Sequence, residues 1–485
     1  MDKDLVGQHD ELVHAQVNAE KRRSRDSLAA QRRLLPPHTP IPAFDGTFST
    51  LEAECQRAAY DFGHSIHNSP IAVLKPGSFE DLIRIVQFAR QHQLQIAPRG
   101  QGHSMYGQAQ VKDGIVVDTS SLRNICAIHS DRVEVEAGVL WQDLLRATIE
   151  HGLLPPVYPN YPGLSIGGVL SVGGFGPGSQ RYGAVVDNVL ELQVVTGAGK
   201  LEICSPDHQP DLFEATLAGL GQCAIIARAT LRLIPAKTRV RVFQLFYPTL
   251  ASLIQEAESL LHRDDERFDS MLIILAYVDA NPGGMWVYML NAIKSYTPPV
   301  DQIENDFLLR DLHYLRGREC IHDMRSIDYV RSIADWTVPH NENDTNYHSW
   351  FDVFVPTSTV TNYIHEALKS VSPLRTGFTS ILTPLNASRF RRQLLRLPAT
   401  ETFFLIDLLR TDTTREALAN SMVYNRTFFE RCCALGGTRY PIGMLELSAQ
   451  DWKKHYGAQW DTFMQMKNLF DPDCILTPGP GIFQQ

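Results

Sequence analysis

From Ile71 onward the chain alternates short apolar runs with amphipathic ones. "IAVLKP" reads as a strand, and "DLIRIVQFARQH" carries apolar residues at helical spacing. Ser78 stands before that helix as a candidate N-cap, with Asp81 three residues on. "LQIAP" and "GIVVDTS" read as strands, and "RVEVEAGV" alternates as a half-buried strand does. "WQDLLRATIEHG" reads as a helix stopped at Gly152. The regularity then breaks: Pro155 to Gly183 is dense in Gly and Pro, which predicts neither a regular helix nor a central strand. Beyond it, "NVLELQVVTGAGKLEIC" predicts a hairpin turning at Gly197–Gly199. "DLFEATLAGLG" predicts a helix, and "CAIIARATLRLIP" a buried strand.

From Val240 the texture changes. "RVFQLFY", "MLIILAYV", "MWVYMLNAI", "WFDVFVP" and "ETFFLIDLLR" read as strands, with "TLASLIQEAESLLHR" and "TVTNYIHEALKSV" as helices between them. The pattern predicts an α+β protein whose second domain has a mainly antiparallel sheet. The expected boundaries are a charged N-terminal extension and linker at 1–40, a first domain at 41–238, a second at 239–440, and a segment at 441–485 that returns to the first.

Composition narrows the function classes. In 485 residues, 44% are hydrophobic and 20% charged, which is ordinary for a globular protein, and the length allows two or three domains. A formal charge of −9 argues against a nucleic-acid partner. No run of about 18 apolar residues stands out as a membrane span. The first residues, "MDKDLVGQHDELVHAQVNAEKRRSRDSLAAQRR", contain no apolar core of a secretory signal and read as a solvated extension. The eight cysteines lack C-x-x-C spacing, which fits a reducing, cytoplasmic location better than a disulfide framework or zinc site. Asn343, Asn386 and Asn425 match N-x-[ST], a pattern without weight unless the chain is exported.

Several motif matches lack their context. "GLSIG" fits a nucleophile elbow at Ser165 but has no strand before it and more glycines after it. His64 and His67 are spaced for a metal but have no evident third ligand, so they read as a solvated loop. "GQGHSM" and "GFGPGS" each miss a glycine of the dinucleotide fingerprint. Two features remain. In "PRGQGHSMYGQ", Arg99, the glycines and exposed N–H groups can cradle a pyrophosphate. His103 within it fits a structural histidine, a metal ligand, a catalytic base or an attachment point for a cofactor. The second Gly/Pro-rich stretch suggests an extended anionic cofactor laid across both turns.

The run from Arg99 to Gln108 matches the pattern R-G-x-G-H-S-x-x-G-Q. Together with "HSWFDVFVP", "ETFFLIDLLR" and "HYGAQWDTFMQMKNLFDPDCILTPGPGIF", it resembles the flavin-linked oxidases of the vanillyl-alcohol oxidase superfamily, most closely the cytokinin dehydrogenases. The likeness runs from about Phe44 to Phe483. It implies a two-domain fold, a PCMH-type FAD-binding domain with an antiparallel-sheet substrate domain roofing the site. It implies FAD contacts at Arg99, Gly100, Gly102, His103, Ser104 and Gln108. Further implied contacts are Ser165, Gly167, Gly168, Ser171, Phe175, Ile226 and Thr477. It also implies a bond from His103 to the flavin's 8α-methyl carbon. No cysteine in Tyr158–Gly168 supplies a second link.

The implied reaction is hydride transfer from a C–H beside nitrogen to flavin N5, giving an imine that hydrolyses. Oxygen or another acceptor then reoxidises the flavin. The sequence departs from the family where a small-molecule substrate would sit. Asn160 stands at the family's aspartate, with Trp350 as a pocket wall. About Leu272 there is an apolar residue in place of a glutamate. Gly479-Pro480 replaces glycine-glutamine, and "YPIGML" replaces Y-L-P-H-Y. These changes predict a less polar site. They leave three readings: an N6-substituted adenine or similar amine as substrate, a tailoring oxidase of a specialised metabolite, or a flavoprotein without turnover.

Overall fold

The computed structural model describes residues 39–263, 267–278, 284–337, 344–370 and 379–483. Residues 1–38 of the expected N-terminal extension and Asn343 lie outside them. A small sheet pairs Ala72–Lys75, Ile115–Asp118 and Ile96–Arg99 in parallel, with Thr47–Ser49 antiparallel at its edge. The helix Phe79–His92 covers it, and Leu82, Ile85 and Val86 enter one core with Ile96 and Ile115. Ser78 caps that helix by accepting the N–H of Asp81 at 3.3 Å, a contact worth about 1 kcal/mol. The Asp81 carboxylate turns outward from the helix to the N–H groups of Asp45, Gly46 and Gly77. It thereby ties the first strand's approach to the helix start.

A second, antiparallel sheet has the order Ile125–Ile128, Arg132–Glu136, Ala224–Arg232, Val189–Thr196, Leu201–Cys204. Its last pair is the expected hairpin. The helices Trp141–Glu150, Ile166–Val172 and Pro210–Thr216 share its core. The third sheet has eight strands, all antiparallel, running from Cys320–Arg325 through Arg239–Tyr247 to Phe351–Pro356 and Thr438–Arg439. Leu250–His262, Thr357–Ser370 and Arg415–Ala434 pack on one face of it. The helices Ala449–Tyr456 and Trp460–Phe470 then bring the chain back to the small sheet, where Ile96 donates to Ile475 O and Thr477 donates to Ile96 O.

Two local expectations are corrected. The Gly/Pro-rich stretch does contain a helix, Ile166–Val172, with Ser165 as N-cap. Its glycines suit it because a Cβ at Gly167 would stand 2.9 Å from the Ala137 Cβ, so the helix lies close against the sheet. The helix expected through "DLFEATLAGLG" stops at Thr216. There the chain turns through Ala218 and Leu220, both at positive φ, and their N–H groups bond Leu170 O and Ser171 O at 2.9 Å. The short helix thus has its terminal carbonyls satisfied by the chain that abandons the other helix.

Candidate active site

Between the glycine-rich turns and the inner face of the eight-stranded sheet lies a cavity of about 260 Å³. The turn from Arg99 to Gln108 forms one side. A segment that the sequence reading passed over braces it from behind: Phe62 donates to Gly102 O at 2.9 Å, and Gly63 to Ser104 O at 3.2 Å. The buried Asp61 carboxylate accepts from Gly107 N at 2.6 Å and Ser104 Oγ at 3.2 Å. Burial pushes Asp61 up to about 6, opposed by these hydrogen bonds and by Arg99. The Arg99 guanidinium is itself packed under the turn, where a Cβ at Gly102 would meet it at 2.1 Å. Gly102 has φ +66, so glycine is required there on two counts. Gly100 leaves room for Ser165, whose Oγ would be 2.1 Å from an added Cβ.

His103 lines the cavity inside a stack of rings. Phe62 lies flat against it at 4.0 Å, Tyr161 tilts over it at 5.0 Å, and Trp350 meets it edge-on at 5.6 Å. Phe62 in turn stacks on His348 at 3.9 Å, and His348 is held by Asp344 at 3.0 Å. Burial, with the charge of His348, pushes the His103 imidazole down to about 4, against a hydrogen bond to its own backbone. The ring is therefore neutral at pH 7, and its buried Nε2 has no hydrogen-bond partner. His64, expected in a solvated loop, is part-buried, and its Nδ1 pairs with Asn346 O at 2.7 Å. His67 stays exposed and pairs with Gln56.

Of the sequence-derived candidates, Gly100, Gly102, His103, Ser104, Gln108 and Asn160 all reach the cavity wall. So do Ser165, Gly168, Ser171, Phe175, Trp350 and Thr477. Asn160 donates its backbone N–H to Phe175 O at 3.2 Å. The side chain of Thr477 bonds Gly221 O at 2.7 Å, tying the returning tail to the turn after Leu220. Arg99 and Gly167 stand one layer behind. Ile226 is buried in the core of the second sheet, and Leu272 lies on a strand outside the cavity lining.

The cavity wall also holds a feature absent from the sequence reading. Phe351–Pro356 and Thr402–Leu409 pair with Asp352 opposite Asp407. Residues alternate between faces along a strand. Phe351, Val353, Ile406 and Leu408 enter the core under the helices, so Asp352, Leu405, Asp407 and Leu409 turn to the cavity. Asp352 is 2% and Asp407 9% exposed. Among the described residues no donor bonds either carboxyl oxygen of Asp352 or Oδ1 of Asp407, so these oxygens can bond one another only when one carries a proton. Burial and the facing Asp407 push Asp352 far above the carboxylate range, with Arg439 and Arg410 opposing; burial pushes Asp407 up to about 6. This wall thus carries two carboxyls that the sequence analysis did not single out. The available signal was a single aspartate inside each of two otherwise apolar strands.

The comparisons agree with this architecture. A family profile described as "FAD binding domain" matches residues 70–205, and one described as "Cytokinin dehydrogenase 1, FAD and cytokinin binding" matches 271–483. The chain is 31% identical to an uncharacterised oxidoreductase of the fasciation locus of Rhodococcoides fascians, over 90% of this chain and 98% of that protein. It is 31% identical to cytokinin dehydrogenase 9 of Oryza sativa subsp. japonica, over 91% of each chain. With cytokinin dehydrogenase 2 of Arabidopsis thaliana it shares 30% identity, over 90% of this chain and 93% of that one. The fold matches crystalline 6-hydroxy-D-nicotine oxidase of Arthrobacter nicotinovorans with a TM-score of 0.70 at 20% identity, over 92% of this chain and 100% of that one. The orphaned imidazole nitrogen and the glycine-lined cavity fit a bound flavin. This chain belongs to the cytokinin dehydrogenase family of FAD-dependent oxidoreductases.

Proposed function

We propose that the protein holds FAD across the two glycine-rich turns, bonded through His103, and oxidises a carbon next to nitrogen in a small amine such as an N6-substituted adenine. When bound, FAD would supply the acceptor for the hydride. The chain's own part is to hold the ring, exclude water and orient the amine. The observation that carries the reading is the state of His103: a neutral imidazole on the cavity wall, fixed between Phe62, Tyr161 and Trp350, with Nε2 unpartnered. Locking the ring by a covalent bond would fix its position and favour its reduction by substrate. Ser104, Ser165 and Thr477 would meet the cofactor, and Asn160 would orient the substrate.

In this reading residues 41–238 and 441–485 form the FAD-binding unit, and 239–440 the roof. Oxygen or another small acceptor would reoxidise the flavin. Unpaired, scattered cysteines favour a cytoplasmic location. A second reading, a tailoring oxidase of a more apolar metabolite, draws on Leu164, Ile381, Leu405 and Leu409 in the cavity wall. Anaerobic mixing with isopentenyladenine separates the two. Loss of the yellow flavin absorbance supports the adenine-amine reading, and persistence of colour with every cytokinin hands the site to the tailoring oxidase.

A further inference from the structure

The Asp352–Asp407 pair does nothing evident for the sheet that carries it. Two carboxyls facing each other among apolar strands cost desolvation, and apolar residues of similar volume would serve the sheet as well or better. The pair instead meets the cavity. Trp350, whose ring touches His103, lies two residues before Asp352, which places the pair about 7 Å further along the chain.

Oxidising H–C–N–H to C=N removes a hydride and a proton, and the proton needs a base. Asn160, at the position where the family pattern has a carboxylate, is neutral and cannot take it. Among the described residues, the titratable groups on the cavity wall are His103, Tyr161, Tyr440, Asp352 and Asp407. Burial pushes both tyrosines up, away from a role as base at neutral pH. His103 is the proposed flavin link. We infer that the Asp352–Asp407 pair is the proton acceptor of the reaction and the group that binds the substrate's N–H. This rests on the amine-oxidase reading above.

The balance is simple. The C–H leaves as hydride, both electrons going to the bound FAD, and the N–H proton passes to the ionised member of the pair. C=N remains on the product, and the carboxyl later returns its proton to water. The charges acting on the pair are Arg439 on the adjoining strand and Arg410 beyond Asp407, and Tyr440, next to Arg439, shares the cavity wall with it. Opposed by the two guanidiniums, the pair shares one proton at neutral pH rather than two, as closely spaced carboxyls do.

The test uses the FAD-loaded enzyme and its Asp407→Asn and Asp352→Asn variants, each checked for flavin content. Flavin reduction by isopentenyladenine is followed anaerobically from pH 5 to 9, and infrared spectra are taken with and without the adenine. The wild type should reduce faster as pH rises through an inflection near 6. Each variant should be slower by on the order of 10²-fold and lose the inflection. If the variants keep both rate and inflection, the inference is overturned and the amine-oxidase reading stands. If the wild type is not reduced at all, that reading fails, and the infrared spectra decide the pair. A carboxylic-acid band lost or displaced in both variants and shifted by the bound adenine retains it as the N–H-binding group. An absent or unshifted band overturns it.

Discussion

Two buried clusters of charge make an instructive contrast. Lys467 and Asp471, 2% and 0% exposed, sit where the C-terminal helix meets the turn at Gln222. Lys467 Nζ donates to Asp471 Oδ2 at 2.6 Å, Gln222 O at 2.8 Å and Leu476 O at 3.2 Å. Asp471 also accepts the N–H groups of Ile475 and Leu476. Every charge there has partners, and they fasten the tail whose Thr477 lines the cavity. Asp352 and Asp407 are also buried, yet among the described residues no donor bonds three of their oxygens, and the cavity lies in front of them. Satisfied burial marks a joint of the fold, while unsatisfied burial beside a cavity marks a place for a ligand.

The contrast breaks first at Lys467. Lys467→Met leaves the Asp471 carboxylate buried without its counter-charge and should cost about 3–5 kcal/mol in denaturant unfolding. A neutral result would erase the distinction between the clusters. Tyr440→Phe comes next. The phenol oxygen accepts the buried Gly174 N–H at 3.1 Å, so its removal should cost about 1–3 kcal/mol. The smallest effect is expected at the carboxyl pair, where Asp407→Asn should leave stability near neutral pH unchanged or raised.

The pH dependence gives that last variant its signature. The folded pKa of Asp407, about 6, exceeds the ordinary 3.8, so the folded state binds more protons than the unfolded between those values. The group therefore contributes stability at low pH that is lost as pH rises from about 4 through 6. Asp407→Asn should gain relative to wild type over that interval in thermal melts. His103 acts oppositely: its folded pKa near 4 lies below 6.5, so its contribution appears as pH rises through the same range. The wild-type curve alone sums both, and only the difference between proteins isolates the pair.

Much of this was legible in the sequence because it is local. The helix after Ser78, the hairpin at Gly197–Gly199 and the turn around His103 each lie within a few adjoining residues, and their apolar spacing or turn chemistry is visible directly. The helix Ile166–Val172 was not, because its glycines look like breakers until the sheet surface at Ala137 is known. Asp61 was missed because its partners, Ser104 and Gly107, belong to a distant segment. The carboxyl pair exists only through strand register: "WFDVFVP" and "ETFFLIDLLR" each read as a buried strand with one odd residue. Nothing in either run says that the odd residues face each other.

The central claim, that the Arg99–Gln108 turn holds a flavin through His103, is tested most directly by unfolding the purified yellow protein and separating chain from small molecules. The account expects the flavin absorbance to travel with the unfolded chain in wild type and to be released as free cofactor in His103→Ala. Free FAD from the unfolded wild type would contradict it.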